Sequence, residues 1–189
     1  MNIALLSELD AVNFMLESIG SMPVASLDDS GVADVAIANF ILQQTSREVQ
    51  SEGWAFNFDT NITYTPDIDG NITFGANILR VTPTYRNVWG CDVALRGQKL
   101  YDRHNKTYTF TSDIKLDTVT FLAWTDLPET ARNYIAIKAA RRFAQKVLGA
   151  DSVCTWTEND EKDARRIIEE YEGDTGKYNI LKNNPGLRR

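Results

Sequence analysis

The spacing of apolar residues changes period twice along the chain, and these two changes limit the fold more than any other feature. Up to residue 53 apolar side chains recur at helical spacing. From Trp54 to Trp124 the texture is that of strands, and beyond Pro128 the helical spacing returns. At 189 residues the chain can build one domain with a real core, or two small modules that share one. Helical ends around a strand-rich middle predict an α+β fold. The expected architecture is a helical bundle built from the N- and C-terminal thirds, with a central antiparallel β-sheet or barrel inserted into it. The expected boundaries are 1–53 with 126–177 for the discontinuous bundle, 54–125 for the β domain and 178–189 for a C-terminal tail.

Local signals set the elements. Ser7 is a natural N-cap with Asp10 three residues on, a weak capping box that starts a helix over Ser7 to Ile19. Leu9, Val12, Leu16 and Ile19 form its apolar stripe, and Gly20 supplies the stop. A second helix is expected from about Val32 to Glu52. Its first half is apolar (Val35, Ala36, Ile37, Phe40, Ile41) and its second half polar (Arg47, Glu48, Gln50, Glu52), with Gly53 closing it. Strand signals follow at Trp54–Phe58, Ile62–Thr65, Tyr108–Phe110 and a long last strand from Leu116 to Trp124. Turns are expected at Asp69-Gly70-Asn71, at Arg96-Gly97-Gln98 and at His104-Asn105-Lys106. A third helix should follow Pro128 and run to about Leu148, stopping at Gly149. One face of it carries Tyr134, Ile135, Ile137, Ala140, Phe143, Ala144 and Val147, and another Arg132, Lys138, Arg141, Arg142 and Lys146. A fourth helix is expected from Thr157, with Asp160 at the capping-box position, to about Glu172, anchored by Ile167, Ile168 and Tyr171. After Gly173 the chain is polar, and the tail is expected to be irregular in the free subunit.

Charge is unevenly spread. Residues 1–53 carry eight acids and one base, residues 54–125 seven of each, and residues 126–189 eleven acids and twelve bases, for a net charge of −6. That acidity argues against gripping nucleic acid through phosphate neutralisation, which needs dense Lys and Arg. An acidic first third and a mildly basic last third can attract one another, within a chain or between copies. No apolar run is long enough to span a bilayer, and the N-terminus lacks the basic start of a secretory signal. Cys91 and Cys154 match no metal or redox spacing and read as buried or half-buried thiols of a protein made in a reducing cytoplasm.

Motifs that carry chemistry are missing or fail. Gly70, Gly75, Gly90 and Gly97 sit among strand signals, and none opens a helix as a phosphate loop would. The single histidine, His104, rules out a multi-histidine metal site and would have to serve any Ser-His-Asp triad. Asp67 to Asn71 looks briefly like a calcium loop, but the twelfth position is Ile78, where a bidentate Glu is needed. The sequons at Asn61, Asn71 and Asn105 mean little without a secretory signal. Glu158, Asp160, Glu161 and Asp163 suit a helix N-terminus through its dipole. Glu169, Glu170 and Glu172 with Arg165 and Arg166 suit an ion-paired, solvated face. No cofactor or metal is expected.

Three stretches rise above a generic α+β chain. The first is Glu8 to Asn13 through Leu16 to Gly20, then Pro23-Val24. The second is Arg47 to Asn57. The third is Tyr101-Asp102-Arg103, then Leu127-Pro128-Glu129, Tyr134 to Phe143 and Gly149-Ala150. Glu161, Asp163, Ala164, Arg165, Arg166 and Tyr171, then Gly176, Tyr178 and Asn179, continue the pattern. Their order and spacing resemble the tail tubular protein A family, the head-to-tail adaptors of T7-like short-tailed phages. The family's pattern is weakest over residues 70–100 and in the short, basic C-terminus.

The resemblance implies a non-enzymatic virion protein of the phage neck, assembled in the bacterial host cytoplasm. It implies a homo-oligomeric, dodecameric ring between the portal protein and a nozzle protein of tail tubular protein B type. Tail fibres would attach near that junction, and DNA would pass through without specific binding. Carried onto this chain, the portal-binding segment is Tyr178, Asn179, Ile180, Leu181, Lys182, Arg188 and Arg189. The expected subunit contacts pair Glu8, Asp10, Glu17 and Asp34 with Arg132, Lys138, Arg141 and Arg142, since a closed ring needs two unlike faces. Pairing of the same charges within one chain is the competing expectation. Nozzle-facing loops would contain Asp67, Asp69, Gly70, Asn71, Gly97 and Asn105. Two other functions are open to the residues: a virion-associated carbohydrate-degrading enzyme using a carboxylate pair, and a DNA-binding module using Arg141, Arg142, Lys146 and the terminal arginines.

Overall fold

A computed structural model describes residues 5–28, 33–84, 92–149 and 158–175. The elements are α1 (Glu8–Glu17), α2 (Ala33–Ser51), β1 (Phe58–Tyr64), β2 (Ile78–Pro83), β3 (Val93–Arg96), β4 (Lys99–Asp102), β5 (Ile114–Thr120), a 3-10 turn (Trp124–Asp126), α3 (Glu129–Leu148) and α4 (Glu158–Thr175). This is the expected α+β mix, with 46% of the described residues helical and 20% in strands. The strands form open antiparallel sheets, and no closed barrel is present among the described residues. The chain divides into two compact units, Met1–Thr45 with Pro128–Arg189, and Ser46–Leu127, and the division falls inside α2.

In the first unit the Ser7 capping box forms as the sequence predicts. The Ser7 hydroxyl accepts from the Asp10 N–H at 3.1 Å, and the Asp10 carboxylate accepts from the Ser7 N–H at 3.1 Å. The helix buries Ala11, Val12, Met15 and Leu16, while Leu9 and Ile19 are only half-buried. α1 and α3 pack together, and their first turns are tied. The Leu6 N–H donates to the Glu129 carboxylate, and Arg132 Nη1 donates to the Leu6 carbonyl at 3.2 Å. The first half of α2 buries Val35, Ala38, Ile41 and Leu42, whereas Phe40 points outward with 64% of its surface exposed. α3 is apolar on so broad a front that Tyr134 to Ala140 are all buried, Lys138 included. It stops before Gly149, as expected. α4 buries Ala164 and Ile168 at helical spacing. It runs on to Thr175, so Gly173 sits inside the helix instead of ending it: one glycine costs only about 1 kcal/mol there.

The second unit holds a three-stranded sheet in the order β1-β5-β2 and a two-stranded hairpin, β3-β4. Its core is Ile72, Phe74, Val81, Val93, Leu100 and Leu116. Leu100 donates its N–H to the Ile72 carbonyl and Phe74 to the Gln98 carbonyl, which fixes the hairpin to the segment before β2. Three strand expectations are corrected. Trp54 to Asn57 is a turn, with β1 starting at Phe58, because Asn57 captures the chain. Its Oδ1 accepts from the Trp54 N–H at 2.8 Å, and its Nδ2 donates to the carbonyls of Gln50 and Thr120, each at 2.9 Å. The last strand ends at Thr120, because Gln50 takes the next backbone groups. Its Oε1 accepts from the Leu122 N–H at 2.7 Å and its Nε2 donates to the Leu122 carbonyl at 3.2 Å. Tyr108 to Phe110 is not a strand, since the Phe110 N–H goes to the carbonyl of Gly70 in a facing loop.

Gln50 is fully buried, although it lies in the half of α2 whose sequence is polar. Beside it Gly53 adopts φ 84°, and a Cβ there would lie 2.5 Å from Arg80 Nη2 and 2.9 Å from Val119 Cγ2. Arg80 Nη2 donates to the Glu52 carbonyl at 3.3 Å, at the C-terminal end of α2.

Asn57→Ala should therefore lower stability by about 2–4 kcal/mol in urea unfolding, because it strands buried backbone groups. Exposed Gln44→Ala should change it by less than about 0.5 kcal/mol. Gly53→Ala should also destabilise, by more than the roughly 1 kcal/mol of a left-handed alanine alone, since Arg80 or Val119 must move as well.

Candidate functional site

Among the described residues no group of three His, Cys, Asp or Glu side chains could hold a metal ion. The acids of α4, the only material for acid–base catalysis that the sequence offered, are largely ion-paired. Lys162 meets Glu158 at 2.9 Å, Arg165 meets Glu169 at 2.9 Å, and Arg166 meets Glu170 at 3.1 Å. Lys162 accordingly holds the Glu158 carboxyl below its ordinary value. What the fold presents is a set of surfaces and stiff turns.

The basic residues of α3 are mostly engaged within the subunit. Arg132 is buried on the Leu6 carbonyl, and the Lys138 ammonium lies 5.6 Å from the Tyr134 ring centre. Arg141 pairs with Glu161 of α4 at 2.6 Å in a mostly buried setting. Arg142 is half-buried. On the acidic side, Glu8 accepts from the Gln43 amide at 2.8 Å and Asp10 serves the α1 cap, while Glu17 is exposed and Asp34 half-buried in the first turn of α2. Residues Tyr178 to Arg189 lie outside the described residues, as do Cys91, Cys154 and Thr157.

The loop residues read as turns do form turns, and they are tightly held. Asp67 Oδ1 accepts from the N–H groups of Asp69 and Asn71 at 3.0 and 2.7 Å, and the Asp67 N–H donates to the Asn71 carbonyl at 2.8 Å. Gly70 takes φ 80° in close contact with Thr109 and Phe110. This frame leaves Ile68 wholly exposed at the tip. Gly97 takes φ 61° at the β3-β4 tip.

Two features escaped the sequence reading. Asp102 is the anchor of the turn that contains Asn105. One carboxylate oxygen accepts from the N–H groups of His104 and Asn105 at 2.8 and 2.9 Å, and the other from the Asn105 side chain at 2.8 Å. These bonds, the Asn105 backbone first, hold the Asp102 carboxyl below its ordinary value against the opposing effect of burial. An Asp three residues before an Asn at a strand end is a signal that could have found it. The second feature is a stack on the hairpin. The Arg96 guanidinium lies 3.5 Å from the Tyr101 ring centre, and Tyr108 meets Tyr101 edge-on at 4.9 Å. Tyr108 is too distant in sequence for strand periodicity to have linked it to Tyr101.

Comparison with known proteins gives the class: a structural protein of a phage tail. The profile of the tail tubular protein family matches residues 9–178, and the chain belongs to that family. Tail tubular protein A of Klebsiella phage KP34 is 32% identical over 145 residues, which span 77% of this chain and 75% of the relative. The resemblance carried by the scattered helix and turn motifs is thereby shown, and with it a place in the tail of the virion. Among the described residues no helix is long and apolar enough to cross a membrane.

Asp102→Ala should cost about 1.5–3 kcal/mol at neutral pH, the range for hydrogen bonds to a charged group. The sign of the pH dependence follows from the lowered folded-state value. The stabilisation is complete above the unfolded value near 4 and is lost as pH falls through the lower folded value. The gap between wild type and variant, measured by denaturant unfolding, should therefore be constant from pH 7 to 5 and shrink below pH ~4.

Proposed function

We propose that this chain is the head-to-tail adaptor of a short-tailed phage. It forms a homo-oligomeric ring, twelve copies by analogy with its family, between the portal protein and the nozzle. The ring continues the DNA channel and helps to anchor tail fibres. The observation that carries this reading is a family match running from residue 9 to residue 178, almost the whole chain. The name of the Klebsiella phage relative supports the same assignment.

The physical features fit a protein that works by contact. A net charge of −6 disfavours strong retention of DNA in a lumen. The stiff loops with Asp67, Asp69, Gly70 and Asn71, with Gly97 and with Asn105 are suited to docking, because little entropy remains to be lost on binding. These loops face the nozzle in this reading. Tyr178 to Arg189 bind the portal. From Gly176 onward the chain has four bases and no acid, which favours an acidic docking surface. No turnover is assigned, and the ion pairing of the α4 acids weighs against a glycosidase pair.

Deleting residues 178–189 should leave thermal unfolding unchanged and weaken co-sedimentation with the portal protein at least tenfold. Loss of folding in the truncated chain would make the segment core and refute its assignment. Electron micrographs of intact particles should show the polypeptide at the neck, and density elsewhere would overturn the adaptor reading.

A further inference from the structure

We infer that the outer face of the β3-β4 hairpin is one half of the subunit–subunit contact, and that it docks on the exposed stripe of α4 of a second copy of this chain. The inference rests on the ring reading and names the surface that would close it.

The hairpin register separates two faces. Val93 and Leu100 point into the core, whereas Arg96 is paired with Lys99, and Ala94 with Tyr101, on the opposite side. That outer face presents two cations and an aromatic pair. Arg96 and Lys99 are exposed, and neither meets a carboxylate among the described residues. Tyr108, packed on Tyr101, leaves 40% of its surface in solvent. Stacking on Tyr101 already orders the Arg96 side chain, which lowers the entropy lost on docking. Lys106, in the turn after β4, has φ 57° without being a glycine. The Asp102 hydrogen bonds and the Asp102–Thr107 bridge hold it there. A lysine kept in a conformation that glycine or asparagine adopts more cheaply points to a use for its charge.

The chain also contains a matching surface. α4 carries eight acids and three bases. Asp163, Ile167, Glu170 and Asp174 fall at i, i+4, i+7 and i+11, share one helix face and are all exposed. Among the described residues Arg166 is the cation that ion-pairs on that face, lying between Asp163 and Glu170. An apolar Ile167 flanked by carboxylates is the complement of tyrosines flanked by cations. α3 is a poorer donor of positive charge, since Arg132 and Lys138 are buried and Arg141 is spent on Glu161. A hairpin-to-helix contact is heterologous, the kind that closes rings. The alternative partner for the hairpin, duplex DNA, is disfavoured by the acidity of the whole chain.

The experiment uses the full chain in two charge-reversed forms, Arg96→Glu with Lys99→Glu, and Asp163→Lys with Glu170→Lys. Circular dichroism first confirms that each is folded. In sedimentation velocity and electron microscopy, alone and on the portal protein, each form should assemble at least tenfold more weakly than wild type. An equimolar mixture should recover rings, because each reversed surface then meets its complement. Lys106→Gly should raise the urea midpoint yet weaken assembly. Wild-type rings matched by equally good rings from both reversed forms would overturn this contact and leave the ring intact. Loss of retention on a duplex oligonucleotide, with self-association untouched, would reassign the hairpin to DNA. A wild-type chain that never associates with itself, even on the portal protein, would remove the ring and this contact together.

Discussion

The second unit depends on two buried amides. Gln50, at the end of α2, and Asn57, in the turn before β1, between them bind backbone groups of Gln50, Trp54, Thr120 and Leu122. The Gln50 carbonyl and the Trp54 N–H would otherwise be buried without a partner, which costs more than a made hydrogen bond returns. The indole of Trp54 adds a bond to the Val49 carbonyl at 2.8 Å, and Arg47 lies over the Phe121 ring. The helix end, the turn and the end of β5 are therefore placed as one piece, and the start of β1 and the stop of β5 follow from it.

A second organising feature is the internal use of positive charge. α3 looks basic when its residues are counted, yet it is among the most buried elements. Arg132, Lys138 and Arg141 are spent on a carbonyl, an aromatic ring and a carboxylate of the same unit. Groups drawn inward in this way order the first unit, and the surface charge of α4 is then set by its own acids. Counting charges along a helix therefore gives a poor account of the surface it presents, because long Lys and Arg stems pack readily against apolar neighbours.

The same economy of motion appears in the turns. The Asp67 loop and the Asp102 turn each use one carboxylate to collect several backbone N–H groups. Turns held this way have little conformational freedom left to lose. Membership of the tail tubular protein family and the carboxylate-held turns are independent observations, one from the sequence and the other from the hydrogen bonds.

Much of this was open to reading from the residues alone. The period of the apolar positions, Ser7 with Asp10, Pro128 and the Gly-centred turns determined the element types and their order, because helix periodicity, caps and turns act over a few residues. So did the family, whose motifs are short and local. Tertiary structure alone decided that Trp54 to Asn57 turns, that Thr120 ends its strand, that Gly173 stays helical, and that Lys138 is buried while Phe40 is not. It also brought Tyr108 onto Tyr101 and set Arg96 beside them. The turn at Asn57 and the end of β5 rest on contacts between residues distant along the chain, and the free energy of such contacts exceeds the weak local preference it overrides.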